Sequence, residues 1–314
     1  MIIALSGGVG GAKLALGLAR VMPPEELIVV VTGDDFEHLG LSISPDIDTV
    51  SYTLAGLANR ELGWGRHDET WSFMETMEAL GGETWFRLGD RDIALHVERT
   101  RRLSRGEPLS AVTADLCRRL GIKSRVVPMS DDPVRTRLRT AEGWLDFQEY
   151  FVHRRCEPVV NELLFQGAGA ARAHPDFLAA LTDPSLKAIV ICPSNPFISV
   201  EPILAIPGVR QAMIDSPAPI IAVSPIIAGQ AVKGPTAKMM RELGLDPSAG
   251  TVAHRYHDLL DGYVIDHADM SEVVSIDARV TLAQTLMRTM EDREALARTV
   301  LEAAAVLRRR KAPR

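Results

Sequence analysis

The chain has 314 residues, 46% hydrophobic and 24% charged, and a formal net charge of -6. That balance describes a globular protein with a substantial core rather than a disordered one, and the acidic charge argues against a general binder of nucleic-acid backbone, which needs clustered positive charge. The three cysteines, Cys117, Cys156 and Cys192, lie far apart with no CxxC pair and read as reduced, buried thiols; every apolar run is broken before it could span a bilayer and residues 1–5 are too short and uncharged for a secretory signal, so the expectation is a cytoplasmic protein without membrane contact.

In chain order, a strand is predicted over residues 2–5, then a glycine loop over 6–11, a helix from 12 to about 21 ended by Pro23 and Pro24, and a second strand over 27–32. Strand, tight turn, helix, strand is a βαβ unit, and short strands rich in Ile and Val suit a parallel sheet buried on both faces. The right-handed crossover puts the glycine loop at the carboxyl edge of that sheet. Helices are expected over 71–80 and 110–120. Later strands over 188–192 and 220–223 run into Pro193-Ser194-Asn195-Pro196 and Ser224-Pro225-Ile226-Ile227, loops that should share the same ligand-binding edge. Residues 278–307 read as one or two helices, and the cluster Arg308, Arg309, Arg310, Lys311 and Arg314 as a solvated tail. The expected fold class is α/β: a Rossmann-like parallel sheet flanked by helices, with its core in 1–67 and 158–314 and a mainly helical insertion, 68–157, covering the ligand crevice.

Ser6-Gly7-Gly8-Val9-Gly10-Gly11-Ala12-Lys13 sits between strand and helix, where glycines let a phosphate approach the backbone and the helix amino terminus offers N–H donors. It is not a Walker loop, because Ala12 and Leu14 replace the required Gly and Ser or Thr, and Lys13 stands where a dinucleotide fingerprint needs its third glycine. A ligand-free βα turn is the alternative. Asp46 and Asp48, behind Pro45, could bind a hard divalent ion or orient a hydroxyl, or else they form an Asx turn or a helix cap, with Asp48 capping a helix through Tyr52 and Leu54; Asp34 and Asp35 are further acidic candidates. Arg87-Leu88-Gly89-Asp90-Arg91-Asp92 suits a loop gripping a phosphate or, equally, a surface salt-bridge cluster. Pro128-Met129-Ser130-Asp131-Asp132-Pro133 says only turn, and Lys233-Gly234-Pro235 offers a lysine that either reaches a nucleotide phosphate or faces solvent. By themselves these residues describe a metal-dependent α/β protein that binds a nucleotide or phosphate ester, with no reaction specified.

Six blocks in register carry more: Ser6-Gly7-Gly8-x-Gly10, Ser44-Pro45-Asp46-x-Asp48-Thr49, Leu88-Gly89-Asp90-Arg91-Asp92, Pro128 to Pro133, Pro193-Ser194-Asn195-Pro196, and Ser224 to Ile227 with Gly234-Pro235. This set resembles the 2-phospho-L-lactate transferase family. The resemblance implies a donor, lactyl-2-diphospho-5'-guanosine or its phosphoenolpyruvyl counterpart, whose acid-bearing phosphorus is attacked by the ribityl hydroxyl of Fo (7,8-didemethyl-8-hydroxy-5-deazariboflavin). GMP leaves, Mg2+ assists, and coenzyme F-420 without its glutamate tail, or the dehydro form, results. It also implies Fo contacts at Asp48 and Arg87, guanosine diphosphate contacts at Ser6, Gly7, Gly8, Gly10, Gly11, Ser194, Asn195, Ser224, Lys233 and Gly234, and a homodimer. Within that scheme Asp46 and Asp48 are metal ligands or hydroxyl orienters, and the glycine loop with Lys13 is the phosphate cradle. Asp48 as general base implies that Asp48→Asn abolishes turnover while Fo still binds. Two competing readings are a non-catalytic nucleotide-sugar-binding regulator resembling the gluconeogenesis factor, and a nicotinamide-dependent oxidoreductase, which the missing third glycine disfavours.

Overall fold

Seven short strands make the centre of the molecule: β1 (Ile2–Ser6), β2 (Leu27–Val31), β3 (Arg125–Pro128), β4 (Ala188–Ile191), β5 (Ile220–Val223), β6 (Gly262–Asp266) and β7 (Arg279–Ala283). In this computed structural model, which describes residues 1–59 and 61–311, they pair in parallel throughout, in the order β7-β6-β5-β4-β1-β2-β3. Side chains alternate across the sheet: Ile2 and Ala4 join the core on one face, Ile3 and Leu5 the core on the other. The first face is covered by α1 (Gly8–Val21), by α2 (Pro45–Leu54) through Ile47 and Val50, and by the long helix Met290–Lys311. Gly17 permits close crossing there, since a Cβ on it would stand 2.3 Å from the Arg293 carbonyl oxygen. Helices Pro175–Leu181, Val209–Asp215, Thr236–Glu242 and Ala249–Arg255 cover the other face.

The order matters for function. From β1 the chain steps outward through β2 to β3, then returns to β4 on the opposite side of β1 and steps outward again. The reversal between β1 and β4 opens a crevice beyond the carboxyl ends of the strands, the place where open α/β sheets bind ligands.

The fold departs from expectation in three places. The segment 68–157 is not a separate helical insertion. It holds α3 (Ser72–Ala79), α4 (Asp90–Leu103) and α5 (Leu109–Arg119), but it also supplies sheet strand β3, and its later part enters a three-stranded antiparallel sheet that runs on to Gln166. Residues 278–307 are not wholly helical, because pairing with β6 draws Arg279–Ala283 into a strand and the helix starts only at Met290. The helix expected from residue 12 begins at Gly8, so most of the glycine loop is the first turn of α1. The side chains of the basic tail, Arg308 to Arg314, lie outside the described residues. Among the described residues no single helix is long and apolar enough to cross a membrane.

Candidate functional site

A cavity of about 550 Å³ occupies the switch point. Its floor is built from the loops after the strands: Gly7, Gly8 and Gly10 after β1, Asp34 after β2, Pro193 to Asn195 after β4, Ser224 and Pro225 after β5, and Thr285 to Met287 after β7. The floor is tightly laced. Ser194 Oγ donates to the Gly7 carbonyl at 2.8 Å and accepts the Gly7 N–H at 3.2 Å, tying the turn after β1 to the turn after β4. Gly10 must lack a side chain, since a Cβ would come within 2.4 Å of the Pro193 carbonyl oxygen. Lys13, one turn into α1, lines the cavity and donates to the Met287 carbonyl at 3.0 Å; burial above all, then Arg293 and Lys233, holds its ammonium below the usual lysine range.

Two carboxylates line the cavity beside this basic end. Asp46 Oδ1 accepts the Gly8 N–H at 2.7 Å, and the Asp46 amide donates to Asp34 Oδ1 at 3.3 Å. Asp34 Oδ2 in turn accepts from Gln148 Nε2 at 2.7 Å. A continuous polar line thus runs from the glycine turn to the 147–152 segment. Burial pushes the Asp46 carboxyl up to about 7, with the charge of Asp35 adding to the rise and the Gly8 amide opposing it. Asp34 rises well above the usual carboxylate range, first through burial and then through Asp46 and Asp35.

The far end is aromatic. Trp85, Phe86, Phe147 and Phe151 line it. Phe147 and Phe151 stack at 5.4 Å, and Trp85 is stacked on His153 at 5.2 Å and packed edge-on to Phe86 at 5.7 Å. Arg87 lines the same end with its guanidinium 4.3 Å over the Trp71 ring.

Comparison with known proteins places the chain in a family. The family described as 2-phospho-L-lactate transferase CofD matches residues 2–306. Phosphoenolpyruvate transferase of Kitasatospora aureofaciens is 40% identical over 98% of each chain, and 2-phospho-L-lactate transferase of Methanosarcina mazei is 38% identical over 96% of this chain and 100% of that one. The chain belongs to the 2-phospho-L-lactate transferase family. A UPF0052-family protein of Bacillus halodurans, solved by crystallography, shares the fold at a TM-score of 0.64 over 96% of this chain and 98% of that one, with 13% identity. The family comprises the 2-phospho-L-lactate and phosphoenolpyruvate transferases of coenzyme F-420 biosynthesis, and this member is a transferase.

Of the residues singled out from the transferase's sequence, Gly7, Gly8, Gly10, Lys13, Asp46, Arg87, Ser194, Asn195, Ser224, Lys233 and Gly234 line the one cavity. Others stand elsewhere. Ser6 and Gly11 lie behind the floor, where a Cβ on Gly11 would meet the Ser6 and Ser194 hydroxyls at 2.5 Å each. Asp48 requires a correction. Residues 45–54 form a helix rather than a turn, and two positions along a helix differ by about 200° in direction, so Asp46 and Asp48 cannot face one ion or one hydroxyl. Asp48 points away from the cavity into a buried ion pair with Arg99 of α4, whose Nη1 donates at 3.0 Å and whose Nη2 makes a second bond. His96 and Asp92 extend that network to the Tyr52 hydroxyl, which donates to Asp92 at 2.5 Å. Arg99 and its neighbours escaped the sequence reading because Arg87 to Asp92 looks like a loop, whereas Asp90 opens α4. The aromatic wall and Gln148 escaped too, although the adjacency of Trp85 and Phe86 to Arg87 is a signal that could have been read.

Proposed function

We propose that the transferase moves a 2-phospholactyl or phosphoenolpyruvyl group from a guanosine diphosphate-linked donor to the terminal ribityl hydroxyl of Fo, releasing GMP and forming coenzyme F-420 without glutamate or its dehydro form. The observation that carries this is the polarity of the main cavity: a glycine- and lysine-lined end, an aromatic end, and carboxylates along the line between them. The α1 amino terminus with Lys13 and Lys233 suits a diphosphate, and the turns at Asn195, Ser224 and Gly234 line the same cavity and are available to its nucleoside. The rings of Trp85, Phe86, Phe147 and Phe151, with Arg87, suit a flat, electron-poor heterocycle.

Displacement at phosphorus asks mainly for positioning and charge stabilisation, so no side-chain nucleophile is needed. A magnesium ion fits the acidic pair, since it is commonly held by one or two carboxylates together with substrate phosphates, and a bound cation would favour the charged forms of two carboxyls that burial first, and then neighbouring carboxylates, hold above their usual range. Asp34 and Asp46, rather than Asp46 and Asp48, would hold it, and when bound it would neutralise charge on the diphosphate. Incubating the protein with Fo, magnesium and each guanylylated acid, then weighing the product by mass spectrometry, tests the reading. A mass gain of one phospho-acid unit on Fo, with stoichiometric GMP, is expected; an inert mixture that also fails to bind GDP refutes it.

A further inference from the structure

A second recess, of about 120 Å³, opens beside the main cavity. The two share Val9, Lys13, Thr49, Gly63, Trp64 and Lys233, and beyond that common wall the recess is lined by Thr53, Ala58, Asn59, Gly65, Arg288 and Arg293. Four cationic residues, Lys13, Lys233, Arg288 and Arg293, line it, and among the described residues no Asp or Glu does, in a chain of net charge -6. Asp292, which accepts the Arg288 amide proton at 2.9 Å, is not part of the wall. The proximity of these charges is registered on Lys13, whose ammonium is depressed by Arg293 and Lys233 after burial itself.

Asn59 and Gly63, on the wall of the recess, are hydrogen-bonded within their own segment. Asn59 Oδ1 accepts the amides of Glu61 and Leu62 at 3.0 Å each, the Gly63 amide donates to the Asn59 carbonyl at 3.0 Å, and Ala58 bridges to Arg66. At about 120 Å³ against about 550 Å³ for the main cavity, the recess suits a small acid rather than a nucleoside. The glycine turn that suits a diphosphate lines the main cavity, and the only member of 7–10 that reaches the recess is Val9.

We propose that this recess is the subsite for the carboxylate of the three-carbon acid on the donor, with Arg288 supplying the countercharge. The proposal rests on the donor chemistry given above, and it makes Arg288 a determinant of specificity for an acid over a neutral group on the same phosphorus. Arg288 is exposed, so its replacement spares the core.

Two probes differ only at the group in question: 2-phospho-L-lactate, and isopropyl phosphate, in which a methyl replaces the carboxylate. Their affinities, and that of GDP, are measured by calorimetry on the full chain and on Arg288→Gln and Arg288→Lys. The wild type is expected to prefer phospholactate by about tenfold or more, as one charge-assisted contact provides. Arg288→Gln should reduce the preference to about twofold with GDP affinity unchanged, and Arg288→Lys should restore part of it. A wild type without the preference overturns the proposal, as does a preference that survives Arg288→Gln, or a loss of GDP affinity in the same proportion. If GDP fails to bind any variant while the preference behaves as expected, the guanosine-linked donor falls and the acid subsite stands.

Discussion

Replacing Asp48 by Asn separates two roles for that residue that the sequence alone leaves confounded. Arg99 is buried, with 2% of its side chain exposed, and Asp48 is its bidentate partner at 8%. Removing one member of such a pair strands a charge in the interior and typically costs about 3–5 kcal/mol. Asn keeps the shape and one acceptor oxygen, and Asp92, close enough to interact with Arg99, compensates in part, so the loss for Asp48→Asn is expected near the lower end, about 3 kcal/mol. Replacing both residues by apolar ones of similar volume, Asp48→Leu with Arg99→Met, should recover most of the loss, because the desolvation of both charges is then avoided. Urea denaturation of the single and double variants, closed as a cycle, measures this directly. A coupling energy below about 1 kcal/mol, the range of exposed pairs, would refute the structural role. So would an Asp48→Asn protein of wild-type stability that binds Fo and does not turn over, since that is the signature of a residue acting in the chemistry.

Other consequences are as specific. Gly10→Ala should cost about 1–3 kcal/mol of stability and most of the GDP affinity, because its methyl meets the Pro193 carbonyl and either α1 or the turn after β4 must move; thermal melts and calorimetry read both. For Asp46 the folded carboxyl is raised to about 7 against an unfolded value near 3.9, so the folded state holds the extra proton and stability falls as pH rises from about 4 through 7. In metal-free buffer the wild-type urea midpoint should drop between pH 5.5 and 8, and Asp46→Asn should lessen the drop and surpass the wild type at pH 8; a wild-type midpoint that rises across that window contradicts the burial argument. Trp85→Leu should raise the KM for Fo by roughly tenfold, the lower part of the ~1–3 kcal/mol that stacking on an aromatic ring provides, while GDP affinity holds; equal losses for both ligands would show that the ring supports the fold instead.

How far the sequence discloses this site depends on the range of the signals. The glycine run after β1 and the Pro193 and Ser224 turns are punctuated locally by Gly, Pro and Ser after short apolar strands, and a parallel sheet brings such turns to one edge wherever the strands sit in the order. Strands β3 and β7 are not legible in that way. Arg125-Val-Val-Pro128 carries a charge and a proline about two apolar residues, and Arg279–Ala283 lies in a stretch rich in Ala, Leu and Arg, so each is a strand because β2 or β6 offers it an edge to pair with. The direction of Asp48 depends on whether Pro45 opens a turn or a helix, a choice set by Ile47 and Val50 packing on the sheet. The aromatic wall gathers Trp64, Trp85, Phe147 and Phe151 from separate segments, and no spacing announces that.

Helix α2 shows how these elements combine in one object. Within two turns it gives Asp46 and Thr49 to the cavity, Ile47 and Val50 to the core, Asp48 to Arg99 of α4, and Ser51 to the thiol of Cys117 on α5 at 3.4 Å. A helix fixed on its other faces cannot rotate about its axis, so the aim of Asp46 at Gly8 and Asp34 is set by contacts outside the cavity. Burying an ion pair to hold a helix is an expensive choice if stability were the only demand, since apolar residues of equal volume do as well or better. It is an economical one if rotation must be prevented, because a bidentate carboxylate–guanidinium pair is directional and an apolar contact is not. The double variant Asp48→Leu with Arg99→Met therefore carries a second expectation: stability near the wild type, and turnover reduced through an Asp46 that is present and no longer held in line.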